Sequence, residues 1–282
     1  MIVWAIANQK GGVGKTTTVV TLAGWLAQQG HRVLLIDTDP HASLTSYMGY
    51  DSDELYGTLY ELFKAPRQSR GVVSRLTLKT QFENISLVPA SITLATLDRT
   101  LGTKEGMGLV LNRALQSVKD LYDYVLIDSP PVLGVMMINA MAASDRVIVP
   151  VQTEFLAQKG LERMIKTFTL MLRTRPDGFR YTIVPTMFDR RTKASVQTLD
   201  SIKEVYGDSV WSAVIPVDTK FRDASLLHTP LSVFAPESRG AQAYASLLKY
   251  VQQLDKKTEE ESKYESGISG ESHARLFSVI IE

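Results

Sequence analysis

IVWAIANQKGGVGKTTT, residues 2–18, decides the fold. An apolar run, a glycine-rich turn and a helix-forming stretch, in that order, hand a buried strand to a helix through a loop that can cradle phosphate. Gly11, Gly12 and Gly14 carry no Cβ, so consecutive backbone N–H groups can turn toward one anion. The helix starting near Lys15 adds its amino-terminal partial charge. Val13 and Thr17 belong to the same cradle. Lys15 is placed to neutralise the β and γ phosphates of a nucleoside triphosphate, and the Thr16 hydroxyl to ligate Mg²⁺. The general pattern G-x-x-x-x-G-K-[ST] is broken, however. Its first glycine falls on Gln9, and a second lysine, Lys10, follows.

Outward from this loop, apolar runs at 32–37, 85–90, 122–128, 146–151, 181–186 and 210–216 lack polar alternation and read as strands buried on both faces. Helical patterns lie between them at 16–29, 107–120, 155–174, 194–206 and 238–254. Strands alternating with helices predict one α/β P-loop NTPase domain over residues 1–254. Its mostly parallel twisted sheet of about seven to eight strands has helices on both faces and ligands at the carboxyl ends of the strands. Residues 255–282 are polar and charged, and are expected to be a disordered tail with a short apolar end, ARLFSVIIE.

Composition narrows the function. The 282 residues carry 31 basic and 30 acidic side chains, so nucleic-acid or membrane binding has to come from a local patch. There is no cysteine, which excludes disulfides, thiolate metal sites and a cysteine nucleophile. No run approaches a membrane span and no signal peptide precedes the first strand, so a cytoplasmic protein is expected.

Two later strands end in carboxylates. Asp37 and Asp39 lie in LLIDTDP and Asp128 in YVLIDSPP, where carboxylates beside a phosphate loop can hold the metal, its waters or the attacking water.

KGGVGKTTT, LLIDTDPHASLT, YDYVLIDSPPVLGV and VIVPVQTEFLA together resemble the ParA/MinD family of deviant-Walker ATPases, from about residue 2 to 254. The resemblance implies a slow, partner-stimulated ATP hydrolase that dimerises on binding ATP and Mg²⁺. Lys10 would reach across to the partner's phosphates, Asp39 would position the attacking water, Thr16 would bind Mg²⁺ directly, and Asp37 and Asp128 would hold it through waters. By the same similarity the base would lie against 186–190 and 215–218, with Met187, Asp189, Pro216, Val217 and Asp218 as contacts.

Nucleoid-binding members hold DNA non-specifically through a late basic patch. The candidates here are Arg190, Arg191, Lys193, Lys220 and Arg222, with a solvated cationic rim as the alternative. This chain departs from the usual partition pattern at Val217 and Lys220. MinD-like members bind membrane through a lysine-rich terminal helix, and this tail offers Leu276, Phe277, Val279, Ile280 and Ile281 with only Arg275 as a nearby cation. Within the family, MIVWAIANQKGG, DPHASLTSYMG and PVDTKFRDAS look most like the ParA-like proteins encoded beside chemotaxis genes. The expectation is a switch that positions chemoreceptor arrays, nucleoid- or pole-associated, stimulated by a ParB-like protein or a chemosensory-array adaptor. Plasmid or chromosome partition and a MinD-type membrane ATPase are the alternatives.

Overall fold

The computed structural model describes residues 1–101, 106–172 and 180–279, with side chains described through residue 260 except at 98, 101, 172 and 259. The chain divides into two compact units, Met1–Tyr244 and Ala245–Glu282.

The first unit carries the whole sheet. Its strands are β1 (Ile2–Ile6), β2 (Val33–Asp37), β3 (Leu78–Lys79), β4 (Ile85–Val88), β5 (Tyr124–Asp128), β6 (Arg146–Gln152) and β7 (Tyr181–Thr186), in the spatial order β3-β4-β2-β5-β1-β6-β7. All pairings are parallel except the short β3, which runs antiparallel to β4. Alternate residues of each strand serve opposite faces. Val3, Ala5, Leu34, Ile36, Val125 and Ile127 join one core with Leu111, Met137, Leu161 and Phe168 from helices on that side. Trp4, Leu35 and Leu126, also fully buried, face the other way, toward the helix Lys15–Gln28. Burial on both faces removes the polar half of the strand pattern, which is why these strands are plain apolar runs.

Two expectations are corrected. The run 210–216 is no strand. Val210 and Pro216 form isolated bridges to Ile183 and Phe188, while Ser212 and Ala213 bend outward into solvent between them and interrupt the ladder. The last helix, expected over 238–254, runs on from Arg239 to Val279. Lysine and glutamate, which fill DKKTEEESK, are good helix formers and pair favourably three and four positions apart, so a polar segment can still hold helical backbone. The side chains of the apolar end, from Arg275 onward, lie outside the described residues, as do 280–282 entirely. Among the described residues, no helix is long and apolar enough to cross a membrane.

Candidate functional site

Gly14 caps the helix Lys15–Gln28 in the left-handed region, at φ 93° and ψ 26°, and Gly12 has φ 74°. Any other residue at these two positions would be strained by about 1–2 kcal/mol. A Cβ built on Gly11, Gly12 or Gly14 would meet nothing within 4 Å, so the loop presents an open, backbone-lined concavity. Lys15, 8% exposed, donates from Nζ to the Lys10 carbonyl at 3.2 Å. Burial lowers its pKa, and the negative fields of Asp128 and Asp39 act against that shift.

The carboxylates converge because the sheet aligns them. Asp37 and Asp128 are the last residues of neighbouring strands and direct register partners. Thr16 Oγ1 donates to Asp128 Oδ2 at 2.6 Å, which leaves Asp128 Oδ1 buried with no hydrogen-bond partner. Asp37 is saturated: Oδ1 accepts from the Asp39 N–H at 3.1 Å, and Oδ2 accepts from Thr45 N and Thr45 Oγ1, each at 2.8 Å. Burial above all, then mutual repulsion, pushes Asp128 well above the usual carboxylate range. Burial also raises Asp37, to a smaller degree, against the bonds from Thr45. Asp39 Oδ1 accepts from His41 N at 3.0 Å and lies 2.9 Å from His41 Nδ1. An orphaned buried carboxylate oxygen beside a threonine hydroxyl and an open phosphate cradle suits a hydrated Mg²⁺ whose remaining ligands come from phosphate and water.

Lys10 stands at the rim of this cradle. Its backbone N–H donates to Asn8 Oδ1 at 3.1 Å, Asn8 Nδ2 donates to the Pro150 carbonyl at 2.7 Å, and Lys10 Nζ pairs with Glu154. Sequence reasoning missed Glu154, although it lies in the quoted stretch VIVPVQTEFLA just past the end of β6. Only the fold reveals that β6 and β1 are neighbours.

Beside the loop opens a cleft of about 760 Å³ lined by Val13, Gly14 and Thr17 on one side and Met187, Pro216, Val217 and Asp218 on the other. Phe221, Arg222 and Tyr244 also line it, none of them foreseen as cleft residues; Tyr244 is anchored through its hydroxyl, 2.7 Å from Thr18 Oγ1. Met187 adopts a left-handed φ of 52°, and Asp218 accepts from the Lys220 and Gly240 N–H groups. Asp189 lines an adjoining cavity of about 390 Å³ that shares Pro216, Val217 and Asp218 with this cleft and adds Arg190, Arg191 and Arg239; its carboxylate is held by the Arg191 guanidinium at 2.7–3.2 Å, which keeps its pKa down at about 2.

The five late cations are all exposed. Arg191 is occupied by Asp189 and Lys220 by Asp223 at 3.1 Å, whereas Arg190, Lys193 and Arg222 form no ion pair among the described residues.

Comparison with known proteins agrees with this geometry. The model of a family described as an AAA domain matches residues 1–178. The sporulation initiation inhibitor protein Soj of Bacillus subtilis is 38% identical over 248 residues, covering 88% of this chain and 96% of that protein. The chromosome partitioning protein ParA of Caulobacter vibrioides is 36% identical over 256 residues, covering 88% and 93%. Among solved structures, a cobyrinic acid a,c-diamide synthase from Mycobacterium smegmatis with bound ATP analog and magnesium superposes with a TM-score of 0.77 at 33% identity, covering 91% of this chain and 96% of that one. The septum site-determining protein MinD from Pyrococcus horikoshii with Mg-ADP does so with a TM-score of 0.70 at 25% identity, covering 90% and 97%. With the second lysine in the loop, the paired strand-end aspartates and these relatives together, the chain belongs to the ParA/MinD family of P-loop ATPases.

Proposed function

We propose that this protein is an ATP-hydrolysing switch of the partition type, which dimerises with ATP and Mg²⁺ and thereby positions a cellular cargo. Lys10 carries the reading: a cation fixed at the rim of the phosphate cradle and turned onto Glu154 of its own chain is poised to serve a second subunit's phosphates. Lys15 and the loop N–H groups bind the triphosphate, and the cleft between Thr17 and Pro216–Asp218 takes the base. Asp39, held on one oxygen by His41, orients the attacking water with the other. Thr16 would bind Mg²⁺ directly and Asp128 and Asp37 would hold it through waters, and the ion would supply charge neutralisation on the phosphates. Residues 1–254 form the switch and 255–282 a separate appendage. The MinD-type alternative would need the apolar end of that appendage to reach anionic lipid, and a single nearby cation argues against it.

Glu154→Gln tests the cis contact. A partly exposed ion pair is worth about 0.2–1 kcal/mol, so releasing Lys10 should allow ATP-dependent dimers at about two- to fivefold lower protein concentration in sedimentation velocity. Unchanged or weaker dimerisation would count against Lys10 being withheld in the single chain.

The cargo proposed is the chemoreceptor array, with plasmid or chromosome partition as the alternative, and the stimulating partner is an array adaptor or a ParB-like protein. Fluorescent localisation with and without the array separates the two. The dimer would ride the nucleoid through Arg190, Lys193 and Arg222. These three cations, without an ion pair among the described residues, give a salt slope of about −2.7, hence about a 40-fold loss of DNA affinity per protomer between roughly 50 and 200 mM salt. A flat salt dependence in filter binding would remove DNA from the mechanism.

A further inference from the structure

Gln9 occupies the position where the general loop pattern has its first glycine, and its side chain has a defined partner. Gln9 Nε2 donates to Thr167 Oγ1 at 2.7 Å, across 158 positions of sequence. Thr167 is 6% exposed, and its own hydroxyl proton is directed to the Arg163 carbonyl, 3.1 Å away, so Oγ1 faces Gln9 as an acceptor with a fixed direction. The acceptor sits in the helix Ala157–Leu172, whose Leu161, Met164 and Phe168 belong to the main core. That helix is a firm post, and Gln9 ties the loop to it.

The next residue is Lys10, and the same helix meets it directly. A Cβ on Gly160 would lie 3.5 Å from Lys10 Cβ and 4.0 Å from Lys10 Cδ. On the other side, Asn8 is fastened to β6 and accepts from the Lys10 N–H. Lys10 is therefore flanked by two tethered neighbours, while the sites of the missing Cβ atoms at Gly11, Gly12 and Gly14 touch nothing. A glycine at position 9 would leave one flank untied.

We propose that Gln9 is a positioning residue for Lys10: its hydrogen bond to Thr167 sets the loop corner from which Lys10 reaches phosphate, and makes that reach depend on the seating of the helix Ala157–Leu172. The proposal rests on the reading of Lys10 as a cation supplied across the dimer. Displacing a transition-state group by about 1 Å can cost about 100-fold, and loosening its support by one neutral hydrogen bond about three- to tenfold.

The test uses the full chain with ATP and Mg²⁺, measuring kcat, KM for ATP, and the dimer dissociation constant by sedimentation equilibrium. Gln9→Leu removes the donor, Thr167→Val the acceptor, and Thr167→Ser restores it; the first two are also made in a Lys10→Ala background. Gln9→Leu and Thr167→Val should each lower kcat and weaken the dimer by about three- to tenfold with KM within about twofold, Thr167→Ser should recover both, and neither should matter once Lys10 is alanine. If Gln9→Leu costs the same factor without Lys10, or shifts only the melting temperature, the positioning role is wrong. If Lys10→Ala alone keeps native kcat and dimerisation, the dimer-cation reading fails, and this proposal with it, on a result read from that single variant.

Discussion

Lys10→Ala is expected to lower ATP turnover by the dimer on the order of 10³-fold, the lower end of what a cation supplied in trans contributes to phosphoryl transfer. Nucleotide binding by the single chain should stay within a few-fold, because the loop N–H groups and Lys15 are untouched. The asymmetry follows from placement: Lys15 is buried against the cradle, whereas Lys10 is paired with Glu154 at the rim. Single-turnover hydrolysis with radiolabelled ATP separates the two effects. Turnover within about tenfold of the native chain would mean that the reaction is completed inside one subunit.

Asp128→Asn should act in opposite directions on activity and stability. Hydrolysis should fall by about 10²–10³-fold, since in the proposed role the substitution removes a negative charge that would help hold the ion at the phosphates. The nucleotide-free chain, however, should gain about 1–3 kcal/mol at pH 8, because Asp128 is buried, lies beside Asp37, and has one oxygen without a partner. The sign follows from the raised pKa. A carboxyl that holds its proton more tightly when folded contributes stability that is fully present below the unfolded value of 3.8 and is lost as the pH rises through the folded value of about 8. Denaturant melts of the apo protein from pH 4 to 9 should therefore slope downward for the native chain and much less for Asp128→Asn. Equal slopes would show that the carboxylate is already compensated.

The central strands and the loop were legible because their chemistry is local. Ile2–Ile6 and Val33–Asp37 are buried on both faces, and glycines with positive φ punctuate the turn after the first. The helix Val135–Ala143 was not, since VMMINAMAA is apolar on nearly every side and shows no helical stripe. The run 210–216 misled because its buried Val210, Trp211 and Ile215 suit a strand, whereas the outward bend at Ser212 and Ala213 depends on the sheet edge beside it. Of the site, Lys10, Lys15, Thr16 and the three aspartates were visible as motif residues. The partner of Lys10, Glu154, became visible only once the neighbouring of β1 and β6 was known, and that of Asp37, Thr45, only once its turn back onto the carboxylate was seen. Asp189, a base contact by family similarity, turns its carboxylate to Arg191 while lining a cavity with Pro216, Val217 and Asp218.

The pairing of β2 with β5, residue by residue from Val33 and Tyr124 to Asp37 and Asp128, has a consequence for how this protein can change length. In a parallel ladder one inserted residue sends every later side chain to the opposite face, so an insertion inside either strand would carry one aspartate away from the other. The two strands behave as a pair of rulers read at the same end. An insertion before the zero mark, on the far edge where Arg32 and Asp123 clasp each other, leaves that alignment intact. From that clasp to its aspartate each strand counts the same five residues.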